Sequence, residues 1–287
     1  MTWSNLATAV TSFAVLAGVF IPLERAFPAR AGQKLLRREW HVDACFFFGQ
    51  YLLWMGLAAG ILGLVRRFFL LRLHDLVLSG FSSQPLWAQV VEVVVAGDVL
   101  VYWFHRACHR YDVLWRFHAV HHSTEELDWL AAHREHPLDG FLTQLCQNLP
   151  AIVVGLRLDV LGPLAVLRGG WGIFIHSNTR VRLGPLGLLL GAPELHHFHH
   201  ARVARSGHNF ANLAPWLDVV FRTYLRPTGE ETYPLGLDGP WPRGYFAQLA
   251  RPFLPATSVS RRQQTPAPIE KSERDPRPAG FSVSAQP

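Results

Sequence analysis

Residues 44–65 read ACFFFGQYLLWMGLAAGILGLV, twenty-two positions without a charged side chain. As a helix rising about 1.5 Å per residue, such a run crosses the roughly 30 Å hydrocarbon core of a bilayer. A helix buried in a soluble core is rarely that long. Residues 6–23, LATAVTSFAVLAGVFIPL, are equally free of charge and sit at the lower limit for a span. No basic residue precedes them, and Glu24 and Arg25 follow where a signal peptide would have small residues for cleavage, so they read as an anchor. Residues 86–104 are apolar apart from Glu92 and Asp98, and charges at membrane depth face a protein interior. Two shorter apolar pieces, 140–156 and 160–175, are separated by Arg157 and Asp159, and the second is interrupted by Gly162, Pro163, Gly169 and Gly170. They form either a tight hairpin through the bilayer or one spanning and one re-entrant piece.

Composition agrees. Of 287 residues 49% are hydrophobic and only 17% charged, against roughly a quarter charged in a soluble domain. Whole-chain disorder is excluded, and the length leaves little room for a fused reductase or cytochrome. Cys45, Cys108 and Cys146 are scattered, which excludes a disulfide scaffold, a cysteine zinc site and a four-cysteine iron–sulfur cluster. A formal charge of +6 suits anionic lipid or nucleic acid, and the apolar content favours lipid, with no nucleic-acid partner. Arg25, Arg30, Lys34, Arg37 and Arg38 place the first loop in the cytoplasm. Alternation of the spans then brings residues 105–136 and His176 to that same face. From about Pro255 the chain turns to Pro, Ser, Arg and Gln, the composition of a disordered tail.

The unusual count is fifteen histidines. His105 and His109 are four apart. His118, His121 and His122 follow at i, i+3 and i+4, and His196, His199 and His200 repeat that spacing, each set on one helix face. With His136 and His176, about ten histidines gather at the cytoplasmic ends of membrane helices. Neutral imidazole suits zinc, copper, iron and nickel, and one ion takes four to six ligands, so ten suit two ions. A catalytic zinc needs three ligands and a water, and the H-E-x-x-H signature is absent. Soluble di-iron bundles take a Glu-x-x-His motif from each of two helices, and this chain has that spacing only once, at Glu194 and His197. The expected fold is therefore all-α: an integral-membrane helical bundle with a cytoplasmic, histidine-rich, metal-binding cap. Its parts are N-terminal transmembrane helices and loops (1–85), a catalytic domain with further membrane helices (86–230), a C-terminal extension (231–254) and the disordered tail (255–287).

From Asp98 through Tyr102-Trp103, HRACH (105–109), HAVHHS (118–123), REHP (134–137), HSN (176–178) and PELHHFHH (193–200) to DVVF (218–221), the chain resembles the fatty acid hydroxylase / sterol desaturase superfamily. LERAFP at 23–28 is similar to the end of that family's first helix. The resemblance implies a membrane di-iron oxygenase that hydroxylates or desaturates an unactivated C–H position of a fatty-acyl, sterol-like or related lipid. It implies two iron ions, with zinc as a substitute that imidazole also binds. By position the implied ligands are His105, His109, His118, His121, His122, His136, His176, His196, His199 and His200, with no separate acid or base. Asp98, Asn178, His197 and Asp218 are implied to support those ligands, Asp98 either through a ligand ring's other nitrogen or as a helix–helix tie. His133 could join them; His41 and His74 read as structural and His208 as a bystander. Asn209-Phe210-Ala211 stands where the family usually has Asn-Tyr-Gly, which bears on subfamily and substrate.

No flavin, dinucleotide or iron–sulfur motif is present, so electrons are expected from a separate donor, a reductase with a ferredoxin or cytochrome. Arg106, Arg110, Arg116, Arg202 and Arg205 offer a basic face to dock it or to meet anionic headgroups. The expected location is the bacterial inner membrane, with lipid substrate and O2 as the other partners. The alternatives are a zinc-dependent membrane hydrolase and a non-enzymatic metal- or haem-binding membrane protein.

Overall fold

The computed structural model describes residues 3–181, 183–202, 207–227 and 230–254. The tail expected at 255–287 and Arg205 lie outside these, as does the side chain of His74. Among the described residues there is no strand, only isolated bridges at Pro28–Thr179 and Ala201–Leu235. The order is α1 (Trp3–Ala26), α2 (Trp40–Gly49) running through a π turn (Gln50–Trp54) into α3 (Met55–Ser82), α4 (Leu86–Arg110), α5 (Asp112–His118), α6 (Pro137–Val153), α7 (Leu158–His176), α8 (Pro193–His199), α9 (Trp216–Val220) and α10 (Tyr245–Ala250). Among the described residues four helical stretches are long and apolar enough to cross a membrane: Asn5–Ala26, Trp40–Phe69, Leu86–Arg110 and Leu158–His176. The shorter apolar piece at 140–156 is α6, which is not among them. The chain is an integral membrane protein.

Helix α4 shows how sequence sets the packing. Its buried positions, Val93, Gly97, Asp98, Val101, Tyr102, His105, Cys108 and His109, recur at three and four and form one stripe. A Cβ on Gly97 would stand 2.6 Å from the Gln147 carbonyl oxygen of α6, so only glycine lets these helices approach this closely. One position on, Asp98 forms an ion pair with Arg168 of α7. Each charge is buried and neutralised by the other, as membrane depth demands. This is the helix–helix tie that was one of the two roles expected of Asp98.

Above the ends of α4 and α7 the chain forms an irregular cap whose loops are buried, so their backbone groups and charges need internal partners. The first 43 residues supply many of them. The Glu24 carboxylate, at the end of α1, accepts hydrogen bonds from the backbone N–H of Trp129 (2.7 Å) and of Asn178 (3.0 Å). Arg37 grips Asp128 with two bonds, at 2.7 and 2.8 Å, and pairs with Asp43 as well. Arg134 donates to Asp43 and to Glu39. Asp128 also accepts from the N–H groups of Leu130 and Ala131. Phe20, Phe47, Trp129, Leu130 and Ile173 pack beside this network.

Removing one partner of a buried, doubly bonded ion pair leaves the other charge unpaired. Asp128→Ala is therefore expected to destabilise the fold by about 3–5 kcal/mol. Arg157→Ala, which breaks a fully exposed pair with Asp159, should leave the midpoint unchanged. Thermal unfolding of both variants in detergent measures the difference.

Candidate metal centre

The three histidine clusters leave their elements at one level of the cap. His105 and His109 occupy the last turns of α4, and His118 ends α5. His121 and His122 lie on a 3-10 turn, His176 is the last residue of α7, and His196, His199 and His200 occupy α8 and its C-cap. All nine are at most 9% exposed. Their ring nitrogens converge in two groups, within each of which the candidate ligand atoms lie within 4.8 Å of one another: His105, His109, His118, His122 and His199 in the first, His121, His176, His196 and His200 in the second. The groups share a wall, with His122 and His200 stacked at 4.3 Å between ring centroids.

This division differs from the single-face reading of the motifs. The helix carrying His118 stops there, so the following 3-10 turn sends His122 to the first group and His121 to the second. On α8, His196 and His200 go to the second group while His199 crosses to the first. Each cluster thus contributes to both groups, apart from His105 and His109, which stay together.

Within the rings a consistent polarity holds. Nδ1 of His105 donates to the Phe210 carbonyl (2.7 Å), Nδ1 of His199 to the His208 carbonyl (2.8 Å) and Nδ1 of His118 to Asp139 (2.9 Å). In the second group, Nδ1 of His121 donates to the Arg134 carbonyl (3.1 Å) and Nδ1 of His176 to the Gly172 carbonyl (2.6 Å). An Nδ1 that donates outward leaves the Nε2 lone pair facing inward, the tautomer that binds a metal. Among the described residues Nε2 of His105, His109 and His199 is buried without a hydrogen-bond partner. Elsewhere Nε2 atoms face each other at 3.2 Å (His118–His122), 3.0 Å (His121–His176), 2.9 Å (His176–His196) and 3.1 Å (His196–His200). Ligands about 2.1 Å from one cation and at right angles stand about 3 Å apart. The orphaned inward Nε2 atoms of the first group and the roughly 3 Å spacing of Nε2 atoms in the second each fit a cation.

Burial, reinforced by neighbouring imidazoles, pushes His121, His122, His196 and His200 well below the ordinary imidazole range and His199 down to about 3. They are neutral at neutral pH, the state a metal requires.

The remaining expected residues lie around this centre. His136 stands apart from both groups: it caps α6, with Nδ1 accepting from the Leu138 N–H (3.1 Å), and its ring packs on Phe117 and Phe253. His197 turns outward to Glu231 (2.7 Å) and to the Ser177 carbonyl (3.0 Å). Asn178 holds the first loop through the Arg30 N–H (2.8 Å). Asp218 accepts from the N–H groups of Phe210 and Ala211 and from Thr223, fixing the turn whose carbonyl holds His105. Asn209, at φ 59°, opens that turn in the left-handed region that asparagine tolerates. His133 packs its ring on Phe47, and His41 is exposed beside Trp40. His208 acts through its carbonyl.

Asp139 is the important residue that sequence reasoning missed. It lies in the first turn of α6, accepts from His118, and groups with Cys108 as well. Close by, burial and the Asp139 charge push the Glu135 carboxyl up. The only sequence signal was an acid three residues after His136, at a helix start where acids are common on electrostatic grounds alone.

Residues 90–223 match the fatty acid hydroxylase family model. The chain is 33% identical over 171 residues to the ornithine lipid hydroxylase OlsE of Rhizobium tropici, covering 59% of this chain and 51% of that protein. It is 30% identical to the alkylglycerol monooxygenase of Homo sapiens (48% of this chain, 31% of the relative) and 37% identical to the lathosterol oxidase of Mus musculus (32% and 31%). The chain therefore spans about half or less of the length of these relatives. No solved structure matches significantly. The resemblance drawn from the histidine motifs is borne out.

Two outcomes follow from this geometry. Asp139→Asn removes the carboxylate behind His118 at constant size and should weaken metal binding about 10–100-fold, read by competition with a chromophoric chelator. For the metal-free protein, the folded-state imidazole pKa values lie below the unfolded value of 6.5. The unfolded chain then takes up more protons as pH drops, so stability is complete above about 6.5 and falls progressively toward about pH 3. Each such histidine contributes up to about 1.4 kcal/mol per pH unit. A melting temperature that rises between pH 6.5 and 5 would contradict this.

Proposed function

We propose that the protein is a membrane-bound, O2-dependent oxidoreductase that hydroxylates or desaturates a lipid, a reading supported by the match of residues 90–223 to the fatty acid hydroxylase family model. The observation that carries this is the pair of buried imidazole groups at the ends of helices fit to cross a bilayer. The names of the relatives, a lipid hydroxylase, an alkylglycerol monooxygenase and a sterol oxidase, support a lipid substrate.

Two iron ions are the proposed occupants, one held by His105, His109, His118, His122 and His199 and the other by His121, His176, His196 and His200. Bound there, iron supplies O2 reduction and removal of hydrogen from an unactivated C–H bond. The chain's own contributions are distinct. The outward Nδ1 bonds of His105, His118, His121, His176 and His199 fix the rotation of those five rings, so their inward lone pairs converge before a metal arrives. Burial of all nine rings excludes bulk water, which protects a reactive centre from side reactions. The apolar outer faces of α4 and α7, including Val91, Val95, Val166 and Leu167, contact the same lipid phase that holds the substrate. His136, turned to the start of α6, serves the fold in this reading rather than a metal.

The proposed catalytic unit is 86–230, with Glu24, Arg37 and Asp43 of the preceding segment as its scaffold and 231–254 as an extension. Electrons come from a separate one-electron carrier and its reductase. The basic residues of the first loop support a cytoplasmic orientation of the cap, in a bacterial inner membrane.

Incubation of the iron-loaded protein with membrane lipids, a chemical reductant and 18O2 tests the reaction. A hydroxylated lipid carrying one 18O, or a lipid lighter by two hydrogens, is expected, and His199→Ala should reduce either to background. Lipid turnover that continues without O2 would contradict the proposal and favour a hydrolase.

A further inference from the structure

Residues 245–254 carry an inverted surface. Helix α10 and the 3-10 turn that follows it (Arg251–Phe253) turn their inner positions, Tyr245, Gln248, Leu249 and Pro252, toward the protein. The outward positions are Phe246, Ala247, Ala250, Phe253 and Leu254, spaced as one helical stripe. Every one of them is apolar; Phe246 is 80% exposed and Phe253 70%. A helix on a water-facing cap would carry polar residues there.

The location of this stripe accounts for its chemistry. Tyr245 packs edge-on against Phe46 at 4.8 Å and accepts from the Trp54 indole N–H at 3.4 Å. It also fills the space beside Gly49, where a Cβ would stand 2.3 Å from its hydroxyl. The segment is therefore held against the wall of a candidate membrane span, at the level where outward positions of that span change from His41 and Cys45 to Leu53, Met55 and Leu57. On its other side Phe253 packs on Phe117 of α5, and the Leu249 carbonyl accepts from His136. Arg243 is exposed just before the helix, and Arg251 lies over the Trp241 ring at 5.7 Å.

The geometry points to residues 245–254 as an in-plane membrane helix: its phenylalanine face lies in the bilayer interface, continuous with the lipid-facing surface of α2 and α3. The occupant of the face is lipid, with aromatic residues on the buried side and arginines at the headgroup level, as interfacial helices require. The segment then joins the bilayer surface to α5, which carries His118 of the first imidazole group. This inference rests on the membrane-spanning reading of the long helices and not on the chemistry of the metal centre.

The test places nitroxide labels on introduced cysteines, Phe246→Cys, Phe253→Cys, Asp238→Cys and Leu64→Cys, each in a Cys45→Ser/Cys146→Ser background in which the remaining Cys108 is buried. The full chain is reconstituted in vesicles of phosphatidylethanolamine and phosphatidylglycerol. Label at Leu64, 69% exposed on α3, reports lipid, and label at Asp238, half exposed on the cap, reports water. Signals at 246 and 253 are expected to relax with oxygen and to resist a water-soluble nickel chelate, as at Leu64. Nickel access at 246 and 253 equal to that at Asp238 would overturn the inference. Nickel access at Leu64 as well would overturn the membrane reading and this inference with it. Neither outcome depends on whether the protein oxidises a lipid.

Discussion

Nine buried imidazoles brought face to face need something that fixes which ring nitrogen turns toward its neighbours. Five of them solve this in the same way, by donating Nδ1–H to an acceptor outside the group. Much of the cap exists to hold those acceptors still. The Phe210 carbonyl is fixed because Asp218 grips its turn from behind. The Arg134 carbonyl is fixed because the Arg134 side chain is anchored on Asp43 and Glu39. The Gly172 carbonyl needs no helper, since it lies one helical turn below His176.

Long-range ties follow from the same need. The first 43 residues precede every ligand candidate, yet Glu24, Arg37 and Asp43 hold the loop between His122 and His136 in place. The Asp98–Arg168 pair lies two turns below His105 and two turns below His176, and so joins the helix serving one group to the helix serving the other. A buried pair adds little net stability against an apolar alternative. Its use here is in holding two helices in one relative register.

Much of this was legible in the sequence. Uncharged runs at 6–23 and 44–65 announced membrane helices because chain length and bilayer thickness leave few alternatives. The histidine clusters announced a metal centre because imidazole at helical spacing has little other use at such density. The sequence did not disclose how the clusters divide. Helical spacing assigns His118, His121 and His122 to one face, but α5 stops at His118, and nothing in HAVHHS marks that change to a 3-10 turn. Asp139 was equally hidden, since its partner His118 is 21 residues away and their contact is created by the packing of α5 on α6. His136 had the motif and not the position, because Pro137 starts a helix and commits the preceding side chain to capping it.

The central claim is that the imidazoles form two separate metal sites. Elemental analysis of anaerobically iron-loaded protein tests it, comparing the parent with His109→Ala, which breaks the first group, and His196→Ala, which breaks the second. The account predicts about two irons per chain in the parent and about one in each variant. A parent that retains one iron or none, or a single variant that loses all of it while the other loses nothing, would contradict two independent sites.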